Sequence, residues 1–317
     1  MIETVTFNAF QILFVMAFAP LYAGVLSRLK EMVQSKRGPS IFQPYWDIWK
    51  LFHKDEVLSD ETTWIFRVTP YLVFVMPIFV TILIPVLTDY PLVFAFMGDM
   101  LAGGFFLGLA GFFAALAAVD TGNPYGPMGA SRTRMVGFLA EPVFMIVFFT
   151  VSFVAQSTIP YIVQQKWVAS VAAFFSPAHI LLLIAFLMLI LAEGGKIPVD
   201  NPSGHFELAM IDESKGLGFS GRGAALMKWG GQMKFLVLTC IFLNVLVAPW
   251  GLAHGRLIGD VVVAVPLILC KVFLFILVLV AIESSLAKLR LFRISEFLGA
   301  AFITSVAAMF TSIFPGA

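Results

Sequence analysis

Apolar runs of about 20 residues, each ended by a polar stretch, recur along the chain near 7–27, 69–88, 100–119, 135–155, 178–195, 232–250, 259–282 and 294–314. Each is long enough to carry a helix through ~30 Å of hydrocarbon, where backbone N–H and C=O groups meet no water and must bond within the helix. The pattern predicts an all-α, polytopic membrane protein with about eight transmembrane helices, forming one transmembrane domain over residues 1–317. Its polar connections on one side fall at 28–68, 120–134, 196–231 and 284–293. The first apolar run follows Met1 to Thr6, which holds Glu3 and no base, and no small-residue cleavage site comes after it. That run reads as a retained first span and not as a signal peptide.

One polar connection contains a further element. After the turn signal Ser35-Lys36-Arg37-Gly38-Pro39, the residues Tyr45, Ile48, Trp49 and Phe52 fall on one helical face and Asp47, Lys50 and Lys54 on the other. This spacing predicts an amphipathic helix lying in the headgroup plane and not crossing it. Pro198 and Pro202 break the long connection 196–231 and predict a re-entrant or funnel-like segment there.

Composition agrees. Apolar residues make up 60% of the 317 residues and charged residues 12%, and the mean hydropathy is +0.95, so the bilayer must serve as solvent. The net charge of +1 and the lack of a basic tract argue against a nucleic-acid partner. Cys240 and Cys270 stand alone inside apolar runs, too few to hold an iron-sulfur cluster in this chain. In the connection 196–231, His205 without a second ligand at metal spacing is weak support for zinc, and no nucleophile elbow, P-loop or dinucleotide fingerprint is present.

Basic residues set the orientation. Arg28, Lys30, Lys36, Arg37, Lys50, Lys54 and Arg67 follow the first span, Arg132 and Arg134 the third, Lys196, Lys215, Arg222 and Lys228 the fifth, and Lys288, Arg290 and Arg293 the seventh. These are 16 of the 20 Lys and Arg. The opposite side holds Lys166 and Arg256. By the positive-inside rule the four basic connections are cytoplasmic, and both termini are expected on the outer side.

Charges inside the apolar runs are the candidate chemistry, because an ionisable group at mid-membrane costs at least ~2.5–3.5 kcal/mol. Glu141 lies within span 4, Lys271 near the centre of span 7 and Lys234 at the start of span 6, while Glu193 and Glu283 close spans 5 and 7. Such groups can relay protons through intervening water. Alternatively, Lys234 and Glu283 snorkel to the interface and Glu141 pairs with Lys271 as a helix clamp. Glu193, Lys196, Asp200, His205, Glu207, Asp212 and Glu213 crowd together around the long connection, either as a polar funnel or as a solvated loop.

Several motifs carry a resemblance. Lys36-Arg37-Gly38-Pro39, then Gln43, Asp47, Lys50 and Leu51, then Arg67 with Thr69-Pro70-Tyr71, resemble the first cytoplasmic loop of the eight-helix membrane subunit shared by respiratory complex I and group 4 nickel-iron hydrogenases. Asp120-Thr121-Gly122-Asn123-Pro124 with Gly129-Ala130-Ser131-Arg132, Met227-Lys228-Trp229-Gly230, and Glu283-Ser284-Ser285 resemble the formate hydrogenlyase side of that family more than complex I. The resemblance implies a subunit of the prokaryotic cytoplasmic membrane that joins a peripheral redox arm to antiporter-like membrane subunits and couples electron transfer to proton or sodium movement. It implies hydrogenase-like large and small subunits and an iron-sulfur subunit as partners. The iron-sulfur clusters and nickel-iron site would lie in those partners, with no cofactor in this chain.

Carried over by position, Glu193, Lys196, Asp200 and Glu207 match the family's loop after span 5, and Glu141-Pro142 its span 4 glutamate. With His205, Lys234, Lys271 and Glu283 they form the expected proton-transfer set. Arg37, Asp47, Lys50, Arg67, Asp120, Arg132 and Arg222 form the expected partner interface, since arginine offers a fixed bidentate fork to carboxylates. This sequence has Val199, Ser203 and His205 where the family commonly has Phe and two further glutamates. The acidic series is thinner, which weighs against a quinone-binding subunit of a complex I-type oxidoreductase. His205 either replaces a lost carboxylate as a proton carrier or caps a local turn. A stand-alone secondary transporter is the third reading; no internal repeat supports it.

Overall fold

The computed structural model describes residues 2–59, 61–89, 99–169, 174–200, 211–253 and 258–313. Among them the helices are α1 (Ile2–Val33), α2 (Gln43–Phe52), α3 (Trp64–Leu83), α4 (Met100–Val119), α5 (Tyr125–Ala155), α6 (Pro160–Ala169), α7 (Pro177–Glu193), α8 (Gly221–Ile241), α9 (Ile258–Ser285) and α10 (Leu291–Ile313). Seven are long and apolar enough to cross a membrane, α8 counting its continuation to Val247; α7 is apolar but shorter, at 17 residues. Together these eight correspond to the eight apolar runs.

The helix ends differ from the runs for identifiable reasons. α3 ends at Leu83, five residues before its apolar run, because Ile84 precedes Pro85 and takes an extended conformation (φ −106°, ψ 151°). α5 and α8 begin about ten residues before theirs, through Arg132, Arg134, Arg222 and Lys228. Hydropathy marks where lipid begins, whereas the backbone ladder continues into the interface. Consequently Lys234 sits in the middle of α8, not at its start.

α8 is the axis of the bundle. In its most apolar window 78% of residues are buried, against 28–39% in the other spanning helices. It packs against α3, α1 and α2, while α4 joins α3 to α5, and α10 lies against α5 and α7. Gly230 permits the α3–α8 contact: a Cβ there would stand 2.5 Å from the Val73 carbonyl oxygen. α2 forms where its amphipathic spacing predicts, but its faces are rotated. Ile48 is buried, whereas Trp49 is exposed beside Phe42 and Trp46. The Tyr45 hydroxyl donates to the Ala17 carbonyl and fixes α2 to α1.

At the end of the bundle where α1 begins and α10 ends, α3 and α8 are interrupted. α8 widens into a π-helical turn, Phe242–Val247, and stops before Pro249. The segments beyond the two helices then run side by side, with Ala253 N–H donating to Leu87 O (2.9 Å) and Asp89 N–H to Ala253 O (3.2 Å). Freed carbonyls in hydrocarbon need donors, and side chains provide them. Gln11 Nε2 donates to Thr81 O (2.6 Å) and Ile84 O (3.2 Å), and Asn244 Nδ2 to Pro85 O (2.9 Å) and Val86 O (3.0 Å). Gln164 donates to Pro249 O, and Lys271 Nζ to Ala248 O (2.8 Å), Trp250 O and Asn244 Oδ1 (3.3 Å).

Asn244→Leu removes two donors while leaving the carbonyls buried, each lost partner costing about 1–3 kcal/mol. We therefore expect a clear fall in the thermal unfolding midpoint of the detergent-purified chain. Leu13→Ala, at an exposed position, should change it little.

Candidate functional site

At the opposite end of the bundle, charged side chains from distant parts of the chain meet in pairs. Lys30, in the last turn of α1, reaches Glu283 near the end of α9 at 2.8 Å, both side chains almost fully buried (10% and 1% exposed). The second Glu283 oxygen, Oε1, is buried with no hydrogen-bond partner among the described residues. Next along is Lys196, where α7 turns back on itself. Gly195 takes φ +57° at the helix end, and Lys196 N–H donates to Leu191 O (2.9 Å). A left-handed residue at this position suits glycine alone without strain. The turn sets the Lys196 ammonium over the Phe235 ring, 4.9 Å from its centroid, a cation–π contact. Burial pulls the Lys196 pKa below the usual lysine value, and Glu283 partly opposes this.

Beyond Lys196 the pairs continue around a cavity of about 490 Å³. Glu193 closes α7 and pairs with Lys234 of α8 at 2.5 Å. Asp200 is buried; Oδ2 accepts from Ile211 N–H (3.1 Å) and Asp212 N–H (3.0 Å), and Oδ1 accepts from Lys288 Nζ (2.9 Å). Leu289 N–H also donates to Pro198 O (2.8 Å), so the connection after α9 is fastened to the connection after α7. Asp212 pairs with Lys215 at 2.5 Å. Glu141, on α5, lines the same cavity and lies within electrostatic reach of Lys234. Its ion-pair partner is Arg134 at 3.6 Å.

The structure thus gathers Glu141, Glu193, Asp200 and Lys234 around one cavity, with Lys196 between it and the Lys30–Glu283 pair. It does not bring Lys271 there. Lys271 lies on the other half of the bundle, bonded to carbonyls, so the Glu141–Lys271 clamp weighed from sequence is replaced by Glu141–Arg134. Nor do Lys234 and Glu283 snorkel: each meets an opposite charge inside the bundle. His205 and Glu207 lie outside the described residues. Among the described residues no group of three or more His, Cys, Asp or Glu is arranged to hold a metal.

Of the expected partner-interface residues, Arg37, Lys50, Arg67 and Arg222 are exposed on the face with these charges. Asp47 pairs with Lys228 at 2.8 Å and accepts from Gln43 at 2.7 Å, which binds α2 to α8. Asp120 accepts from Thr63 N–H (2.7 Å) and Oγ1 (2.8 Å), reinforcing the N-terminus of α3. Arg132 is half-buried. Sequence reading missed Lys30, Arg134, Lys215 and Lys288 as partners. Arg134 was findable, since it lies two turns before Glu141 on the same helical face. Lys30 and Lys288 reach their acids only through tertiary contacts and left no local signal.

A family described as NADH dehydrogenase matches residues 7–313. The chain belongs to that family. Within it, the chain is 32% identical over 290 residues to formate hydrogenlyase subunit 4 of Escherichia coli (strain K12), covering 91% of this chain and 92% of that one. It is 30% identical over 287 residues to hydrogenase-4 component C of the same strain, covering 90% and 89%. Among solved structures, a chain of the membrane-bound sulfane sulfur reductase (MBS), an archaeal respiratory membrane complex, superposes with a TM-score of 0.84 over 98% of this chain and 99% of that one. At 16% identity that likeness establishes the fold. This member of the NADH dehydrogenase family is thus a multi-pass membrane protein whose relatives are components of multi-subunit complexes.

Because Lys196 binds its proton less tightly in the fold than when unfolded, the unfolded chain carries more protons just below the ordinary lysine pKa of 10.5. Stability attributable to Lys196 therefore rises with pH through that alkaline window. Lys196→Met should flatten the rise when unfolding midpoints are measured against pH.

Proposed function

We propose that this chain is the membrane subunit that couples electron transfer in a peripheral arm to proton or sodium movement in a formate hydrogenlyase-like respiratory complex. The observation that carries the reading is the succession Lys30–Glu283, Lys196, Lys234–Glu193 and Arg134–Glu141, which runs across the bundle from the α1–α9 junction to the α4–α5 face. Within each pair the charges neutralise each other, and Lys196 feels the field of Glu283, so a change of charge at one site alters the stability of the next. Such a series carries a signal sideways through the membrane without a continuous pore to the other side. Hydrogenase-like large and small subunits and an iron-sulfur subunit would form the arm and hold the nickel-iron site and iron-sulfur clusters. Antiporter-like subunits would receive the signal, with both termini of this chain on the outer side of the prokaryotic cytoplasmic membrane.

The exposed bases Arg37, Lys50, Arg67 and Arg222 suit the docking of an acidic surface of that arm, and α2, tied down through Asp47 and Tyr45, gives them a rigid platform. His205 and Glu207 extend the set of proton-transfer candidates.

Glu141→Gln keeps the side chain's size and removes its charge. We expect the complex to assemble and transfer electrons while redox-driven ion uptake into sealed vesicles falls by at least roughly tenfold, the scale of losing about 1.4 kcal/mol of coupling. Uptake at the unaltered ratio of ions to electrons would refute a coupling role for Glu141. Arg37→Ala should instead release the peripheral arm from solubilised membranes while the chain itself stays inserted, as read by co-purification. Retention of the arm at native stoichiometry would remove Arg37 from the interface.

A further inference from the structure

The opening between α4 and α5 places charge beside hydrocarbon. Its lining is apolar along α4 and α5, with Phe105, Phe144 and Met145, and polar where Arg134, Glu141, Glu193, Asp200 and Lys234 reach it. Arg134 and Glu141 stand there about half exposed, at 37% and 47%, a costly position against lipid tails. The Arg134 side chain does not turn back toward water; it runs along α5 toward Glu141 and lies over the Phe112 ring, 5.5 Å from its centroid. The pair is also slack. Lys30–Glu283, Lys215–Asp212, Lys228–Asp47, Lys234–Glu193 and Lys288–Asp200 close to 2.5–2.9 Å, whereas Arg134 and Glu141 stand 3.6 Å apart.

Size and charge select an occupant. A space of about 490 Å³ lined by both apolar and charged side chains takes a lipid headgroup with part of one acyl chain, the rest of the lipid staying in the bilayer. A helix, ~10–12 Å across, could cover the opening but not enter it. A cation and an anion side by side match a zwitterion. The guanidinium fork suits a phosphate, and the carboxylate suits an ammonium that can donate hydrogen bonds, which a primary amine does and a quaternary one does not.

We propose that the α4–α5 cleft is a binding site for a phospholipid whose headgroup carries a primary amine, with an acyl chain against Phe105 and Phe144, the phosphate on Arg134 and the ammonium on Glu141. The lipid closes the cleft on its open side and satisfies the slack pair. The site stands on this geometry alone and does not depend on ion transfer through the chain.

The test uses the full chain purified in detergent and given equal amounts of phosphatidylethanolamine, phosphatidylcholine and phosphatidylglycerol, each with a photoactivatable acyl chain. Adducts are mapped by peptide mass spectrometry. We expect phosphatidylethanolamine to label the peptides bearing Phe105 and Phe144 roughly tenfold more than the other two, the scale of one charge-assisted hydrogen bond. Glu141→Gln should abolish the preference. Gly111→Leu should abolish cleft labelling while sparing α9 and α10, because Gly111 lines the cleft and a Cβ there meets no atom within 4 Å. Equal labelling of the cleft by all three lipids overturns the proposal. So does cleft labelling that survives Gly111→Leu, or stronger labelling by a photoactivatable quinone added to the same mixture.

Discussion

A charge buried among apolar helices must be answered by another charge or by several hydrogen bonds, and this requirement shapes the whole bundle. Removing one partner of such a pair leaves an uncompensated charge and costs ~3–5 kcal/mol where burial is complete. Lys30 and Glu283 approach that limit, for both are nearly sealed from solvent. Their pairing joins the first helix to the ninth and fixes the distance over which Lys196 senses Glu283. Packing around α8 holds the helices together; the ion pairs determine which helices may face one another.

The two halves of the bundle meet this requirement differently. Where α3 and α8 break off, the freed carbonyls are answered mostly by neutral amides, Gln11, Gln164 and Asn244, with the Lys271 side chain as a further donor. Amides have no proton to exchange near neutral pH. On the other half the donors and acceptors are lysines, arginines and carboxylates, held together in ion pairs. Ion pairs thus lie in a band across one end of the bundle, while amides and backbone, with Lys271 and His179 among them, lie across the other. Under the proposed coupling role, this division suits transmission along the membrane plane better than passage straight through it.

Much of the fold was legible because hydropathy reports immersion in lipid directly. The eight apolar runs and the amphipathic spacing from Tyr45 to Lys54 translate into local structure, whereas the break before Pro85 is hidden within an apolar run that extends to residue 88. The true starts of α5 and α8 were not legible, since a helix does not stop where its surroundings become polar. Of the site, the acids and lysines were conspicuous as charges in apolar runs, but their pairing was not. Glu141 meets a residue seven positions earlier instead of Lys271, and Asp200 meets Lys288 from the connection after α9. Such pairings arise only once the helices are packed, and one sequence carries no record of them. Trp49 illustrates a finer limit: its helical face was deduced from spacing, but α2 rotates to bury Ile48, and an exposed indole results.

Infrared difference spectroscopy of the intact complex, recorded as its redox centres are reduced, tests most directly whether the buried carboxylates answer to electron transfer. The ion-pair series predicts a shift in carboxyl absorption that is diminished separately by Glu283→Gln and by Glu141→Gln, at the two ends of the band. A difference spectrum identical in both variants to that of the unaltered complex would show that these pairs are braces holding helices together and take no part in coupling.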